Sequence, residues 1–182
     1  PVELWCTPDF NHPFFSQCAA TFPIELLVQD GADLGQRMSN AFTNVLTRAQ
    51  QAVIIGTDCP MLTPNYLSRA FTILSESNSA VIGPASDGGY TLLGLHAADV
   101  TETLFSDMPW GTDQVLSSTL DRLKQTGMKY RLLHYLPDID LPIDLQIYLE
   151  KSQTLDLHPL LRRQLEKAEK CKRQLMTCAE SA

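Results

Sequence analysis

The residues of this sequence with the most reactive chemistry to offer are aspartates at the ends of apolar runs. Asp58 closes "AVIIGTDCP" (residues 52–60), whose unbroken apolar stretch reads as a strand buried on both faces. A carboxylate there loses hydration, and several kcal/mol must be recovered from a partner. A turn aspartate bonding its own backbone is the everyday alternative, but Thr63 already supplies the cap of the helix that follows. A divalent cation would be a partner with chemical consequences: Mg²⁺ and Mn²⁺ take hard oxygen ligands and keep positions for substrate phosphates. A second cluster, "DIDLPIDL" at 138–145, follows another strand. Asp138 and Asp140 point the same way from extended backbone, which is costly for like charges unless a cation lies between them. Asp144 falls in a first helical turn, where the macrodipole alone accounts for it.

Other segments carry weaker signals. In "ASDGGYTLLG" (85–94) the pair Gly88 and Gly89 after Asp87 lets backbone approach a ligand, or makes a hairpin turn; both can hold at once. Arg37 lies in the first turn of a helix, the wrong end for a cation, unless a bound phosphate or an acid such as Asp33 compensates. In "PWGTD", Trp110 is more often packing than ligand stacking, and Asp113 is more often a first-turn acid. Cys59 has no histidine motif nearby and reads as a small buried residue rather than a nucleophile.

Strands alternate with helices around these segments. "VELWC" at 2–6 and "IELLVQ" at 24–29 read as strands, as do "AVIIG", "SAVIGPA", "YTLLGL" and "KYRLLHYL". Met38, Ala41, Phe42, Val45, Leu46 and Ala49 repeat with helical spacing after Asp33, a candidate cap. Thr63 and Pro64 start a second helix, a third runs from about Asp113 until Gly127 ends it, and "HPLLRRQLEKAEKCKRQLMTC" (158–178) is a last one. The expected fold class is α/β: a mostly parallel, mixed sheet with helices on both faces. Ligands in such sheets sit beyond the carboxyl ends of the strands, where Asp58 lies.

At 182 residues and 44% hydrophobic, the chain suffices for one core. Residues 1–150 carry 17 acids and 7 bases, residues 151–182 carry 4 acids and 7 bases. The acidic body repels a nucleic-acid backbone and argues against DNA or RNA as partner. No run is long and apolar enough to span a membrane, and five cysteines without a C-x-x-C pair suit a reducing compartment, so a cytoplasmic protein is expected. The chain divides into a body at 1–150 and a helical extension at 151–182.

Five segments stand in a telling order: "QDGADLGQRMSNAF", "VIIGTDCPMLTPNYLSRAF", "VIGPASDGGYTLLGL", "PWGTDQVLSSTLDRL" and "LPDIDLPIDL". Over about residues 2–150 the chain resembles the glycosyltransferase-like family labelled DUF2064, itself similar in fold to the nucleotide-diphospho-sugar transferases (the GT-A fold). The resemblance implies Asp58 and Asp140 as metal ligands, and a nucleotide bordered by Asp33, Gly35 and Arg37. It implies an acceptor side lined by Asp87, Gly88, Gly89 and Tyr90; Trp110 and Asp113 join the candidate substrate-binding set, and Asp87 is the candidate base. The implied function is a metal-dependent transferase using Mg²⁺ or Mn²⁺ and an activated nucleotide substrate, foremost a nucleotide-sugar, with an unknown acceptor. A nucleotidyltransferase using a nucleoside triphosphate and a catalytically silent interaction domain are the alternatives. The family's opening strand and its G-x-x-K-T-R-L phosphate loop have no match here, so the fold is expected without them. The helix at 158–178 would then cover exposed surface or join two copies.

Overall fold

The computed structural model describes residues 1–77, 80–97 and 102–152. The chain separates into two compact units, Pro1–Asp138 and Ile139–Ala182. The first contains β1 (Val2–Cys6), α1 (Pro13–Thr21), β2 (Ile24–Val28), α2 (Leu34–Leu46) and β3 (Gln51–Ile55). It continues with α3 (Pro64–Ser77), β4 (Ala80–Pro84), β5 (Tyr90–His96), α4 (Val115–Gln125) and β6 (Tyr130–Leu132). The second contains α5 (Pro142–Ser152), whose start is capped by Asp144: Oδ2 accepts from the N–H of Leu141 at 2.8 Å. The expected helix at 158–178 lies outside the described residues.

β1 and β2 pair in parallel as a two-stranded sheet, with Leu4 opposite Leu26. The main sheet has the order β3-β5-β4-β6. In it β5 runs antiparallel to both neighbours, while β4 and β6 are parallel. The class is α/β with a mixed sheet, as expected, and the parallel pairs are β1–β2 and β4–β6. The antiparallel share is larger than alternation of strands and helices implies, because the Asp87–Gly89 turn sends β5 straight back along β4 rather than through a helix.

Strand periodicity sorts the core into two layers. On β4 and β5, Ala80, Ile82, Leu93 and Leu95 face Met38 and Phe42 of α2 and Leu123 of α4. Val81 and Leu92 face the other way, against Tyr66, Ala70 and Leu74 of α3. Helices therefore cover both faces of the main sheet. Phe42 stacks on Phe105, centroids 5.9 Å apart, and closes the first layer where Leu104 also enters it.

Two elements differ from the sequence expectation. α1 occupies a stretch between the first two strands for which the sequence suggests no element; His12 caps it through a side chain accepting from Phe14 N, with Pro13 opening it, yet it buries no residue. Phe15, Cys18 and Ala19 share one face, but a stripe this short, with no fully buried residue, is a weak helical signal. β6 ends at Leu132, short of "KYRLLHYL", because the segment beyond it keeps only scattered bonds to β4, Leu133 N to Ile82 O and Leu136 N to Pro84 O.

Arg48, just after α2, donates from Nη1 to Glu3 Oε1 of β1 at 2.6 Å, and the Glu3 side chain is nearly buried. The guanidinium bond holds the Glu3 carboxyl below its ordinary range, although burial acts the other way. A depressed folded-state pKa adds stability that is present above the unfolded value and is lost as the pH falls through the folded one. Glu3→Gln should therefore flatten the acid side of a stability–pH curve measured by urea unfolding. In the same assay Leu93→Ala, which opens a cavity at the sheet centre, is expected to cost about 2–5 kcal/mol.

Candidate functional site

The loops after β3, β4 and β6 meet at one edge of the main sheet. Gly56 N donates to Thr91 O at 3.0 Å and Leu136 N to Pro84 O at 3.1 Å. Cys59 Sγ donates to Pro137 O at 3.4 Å, tying the first loop to the third. This is the carboxyl end of β3, β4 and β6, where an α/β sheet offers a crevice.

Two carboxylates come together there. Asp87 and Asp138 place carboxylate oxygens within 4.8 Å of one another. Asp87 is exposed, and its Oδ1 accepts from the N–H of Gly89 at 2.8 Å, a local turn that orients the carboxylate. Asp138 is half-buried, and its Oδ1 accepts from Ser86 Oγ at 2.9 Å. Asp58 is exposed on the neighbouring loop and stands outside this group. Buried Cys59 lies close to both acids: burial pushes its thiol up, and the charges of Asp138 and Asp58 push the same way. The thiol stays protonated, which suits a packed hydrogen-bond donor rather than a nucleophile. Asp140 belongs to the second unit, where its N–H donates to Asp144 Oδ2 at 3.3 Å.

The rest of the expected binding set is drawn together mainly by contacts within the protein. Asp33 caps α2, its Oδ1 accepting from Gln36 N at 2.8 Å. Arg37 Nε donates to Gly31 O at 3.0 Å, so one donor of the guanidinium orders the loop before α2. Gly35 is buried where a Cβ would collide with the Trp110 indole and the Phe105 carbonyl. Gly88 has φ +88° and faces the Asp113 backbone so closely that no side chain fits, while its carbonyl accepts from Leu116 N at 2.8 Å. Tyr90 packs against the main core, and burial pushes its phenol up to about 12. These contacts seat the β4–β5 turn on the start of α4, and Trp110 on the start of α2.

Ser86 is a site residue that a reading of motifs leaves out, whereas Asp138 is singled out there only as the neighbour of Asp140. The signal for Asp138 was its place in "DIDLPIDL"; Ser86 has none beyond preceding the Asp-Gly-Gly turn.

Comparison with known proteins places the chain as follows. The model of the DUF2064 family, uncharacterized proteins conserved in bacteria, matches residues 1–112. Among solved structures, one from Desulfovibrio desulfuricans G20 under the provisional name of nucleotide-diphospho-sugar transferase superposes with a TM-score of 0.77 at 24% identity. The match covers 85% of this chain and 67% of that one. No curated protein matches. Among the described residues no helix is long and apolar enough to cross a membrane.

Two outcomes follow from the packing of the site. Gly88→Ala meets both a left-handed backbone and the Asp113 main chain, so it should cost more than about 1 kcal/mol in chemical unfolding. In an alkaline absorbance titration, Tyr66 and Tyr90, both pushed up to about 12 by burial, should ionise later than tyrosines in water.

Proposed function

The chain belongs to the DUF2064 family, and on that premise we propose that it is a metal-dependent transferase that takes an activated nucleotide substrate, specifically a nucleotide-sugar. The observation that carries the reading is the Asp87–Asp138 pair at the carboxyl edge of the sheet, in a fold shared with a protein of nucleotide-diphospho-sugar transferase name.

The donor set fits a hard cation. Both side chains offer only oxygen, one oxygen of each already oriented by a hydrogen bond from Gly89 or Ser86. Two adjacent carboxylates repel unless a positive charge lies between them. Asp87 and Asp138 would hold Mg²⁺ or Mn²⁺, with Asp58 on the neighbouring loop as the further ligand that the family resemblance implies. Bound there, the ion supplies Lewis-acid stabilisation of the charge on a leaving diphosphate. Few side-chain cations are at hand to assist it, since before Arg122 the bases are Arg37, Arg48 and Arg69, and Arg48 is paired with Glu3. That scarcity favours a nucleotide-sugar, whose diphosphate carries less charge, over a nucleoside triphosphate. The acceptor would enter beside Gly88 and Tyr90.

Thermal unfolding against nucleotide-sugars, nucleoside diphosphates and nucleoside triphosphates, each with and without Mn²⁺, tests the reading. Ligand at about a hundred times its dissociation constant adds roughly 2.7 kcal/mol, a rise of about 5–10 °C for a chain of this length. A Mn²⁺-dependent rise confined to nucleotide-sugars is expected, and it should vanish in Asp138→Asn. A rise with triphosphates alone would move the assignment to nucleotidyl transfer. A flat panel would leave a catalytically silent domain.

A further inference from the structure

We propose that Tyr66 is a positioning residue for the Asp138 carboxylate, acting through the segment 133–138 that joins β6 to the site; this rests on the function proposed above. Beyond Leu132 the chain leaves regular pairing, and only two amides, of Leu133 and Leu136, bond back to β4, to Ile82 O at 2.8 Å and Pro84 O at 3.1 Å. A segment attached along one side by two bonds has freedom to tilt about its own axis. Asp138 lies at its end, so a small tilt moves the carboxylate away from Asp87.

Tyr66 removes that freedom from the other side. It stands in the first turn of α3, its N–H accepted by Thr63 Oγ1 at 3.2 Å, and it is 4% exposed. Its hydroxyl donates to His134 O at 2.7 Å, and its ring meets the His134 imidazole edge-on at a centroid distance of 4.7 Å. The rigid phenol reaches this carbonyl by passing over Gly83 of β4, where a Cβ would come within 2.5 Å of the hydroxyl oxygen. Glycine at 83 is therefore a condition of the contact. Cys59 Sγ adds a second pin at Pro137 O, one residue before Asp138, from the loop that also carries Asp58. With β4 on one side and Tyr66 and Cys59 on the other, the segment has one orientation. In that orientation the Asp138 carboxylate meets Ser86 Oγ and comes within 4.8 Å of Asp87.

A purely structural tyrosine would support the core and leave cation affinity alone, so the two roles separate by measurement. The test titrates Mn²⁺ into the full chain, following free Mn²⁺ by its paramagnetic resonance, for the wild type, Tyr66→Phe, Gly83→Ala and Asp138→Asn. Tyr66→Phe keeps the ring in the core and deletes only the bond to His134 O. It is expected to weaken Mn²⁺ binding by about tenfold or more, as loss of a residue that orients a metal ligand does. Gly83→Ala, which displaces the hydroxyl, should weaken it in the same direction, and Asp138→Asn should abolish it. If Tyr66→Phe lowers the melting temperature yet binds Mn²⁺ like the wild type while Asp138→Asn does not, the positioning role is overturned and the metal site stands. If the wild type itself binds no Mn²⁺, the metal-dependent reading fails and takes this role with it.

Discussion

β5 is hydrogen-bonded along both edges and covered on both faces, and it sits at the centre of the main sheet and of both core layers. Its register fixes Ile54 opposite Leu93 on one side and Ile82 opposite Leu93 on the other. Leu92, Leu93 and Leu95 are 0–1% exposed and feed both layers of the core. A one-residue slip would exchange those layers, setting leucines shaped for α3 against α2 and α4. Burial of side chains this size is worth about 1.5–3 kcal/mol each, so the register is strongly specified. The turn that starts β5 inherits that rigidity, and it carries Asp87.

The site is thus an outgrowth of packing. Gly35 makes room for Trp110, Gly88 for the Asp113 backbone, and Gly83 for the Tyr66 hydroxyl. Each glycine lets one segment settle directly on another, while the sheet itself brings the ends of β3, β4 and β6 to a common edge. Rigid support matters at such an edge, because a carboxylate pair repels itself and will swing apart unless its backbone is fixed. Asp87 is held by its own turn and Asp138 by a segment pinned from two sides. With so few bases in the body, the proposed reading balances the negative charge there with a cation from solution rather than with an arginine from the chain.

The fold was largely legible in the sequence because its signals are local or periodic. The helical spacing from Met38 to Leu46, the Thr63–Pro64 start, and the unbroken apolar run before Asp58 all correspond to observed elements. The order of five motifs sufficed to recognise the family, since each motif is a chemical necessity at one place: a cap, a tight turn, an acid at a strand end. What stayed illegible has no local signature. α1 is short and buries no residue, and the antiparallel insertion of β5 between β3 and β4 is a matter of which strands meet, which alternation alone does not encode.

For the site the division is sharper. Residue types alone marked aspartates at the ends of strands, in a body poor in bases, as the candidate site. Only the tertiary structure decided which acids meet. Asp58 and Asp138 are far apart in sequence and both border Cys59, yet Asp138 approaches Asp87. Only the tertiary structure, too, assigned Gly35 and Gly88 to contacts within the chain, and Tyr66 to the His134 carbonyl. The physical reason is that a carboxylate's or a glycine's role depends on what lies within a few ångströms of it. Those neighbours come from strands and helices tens of residues away, set side by side only once the sheet has closed its register.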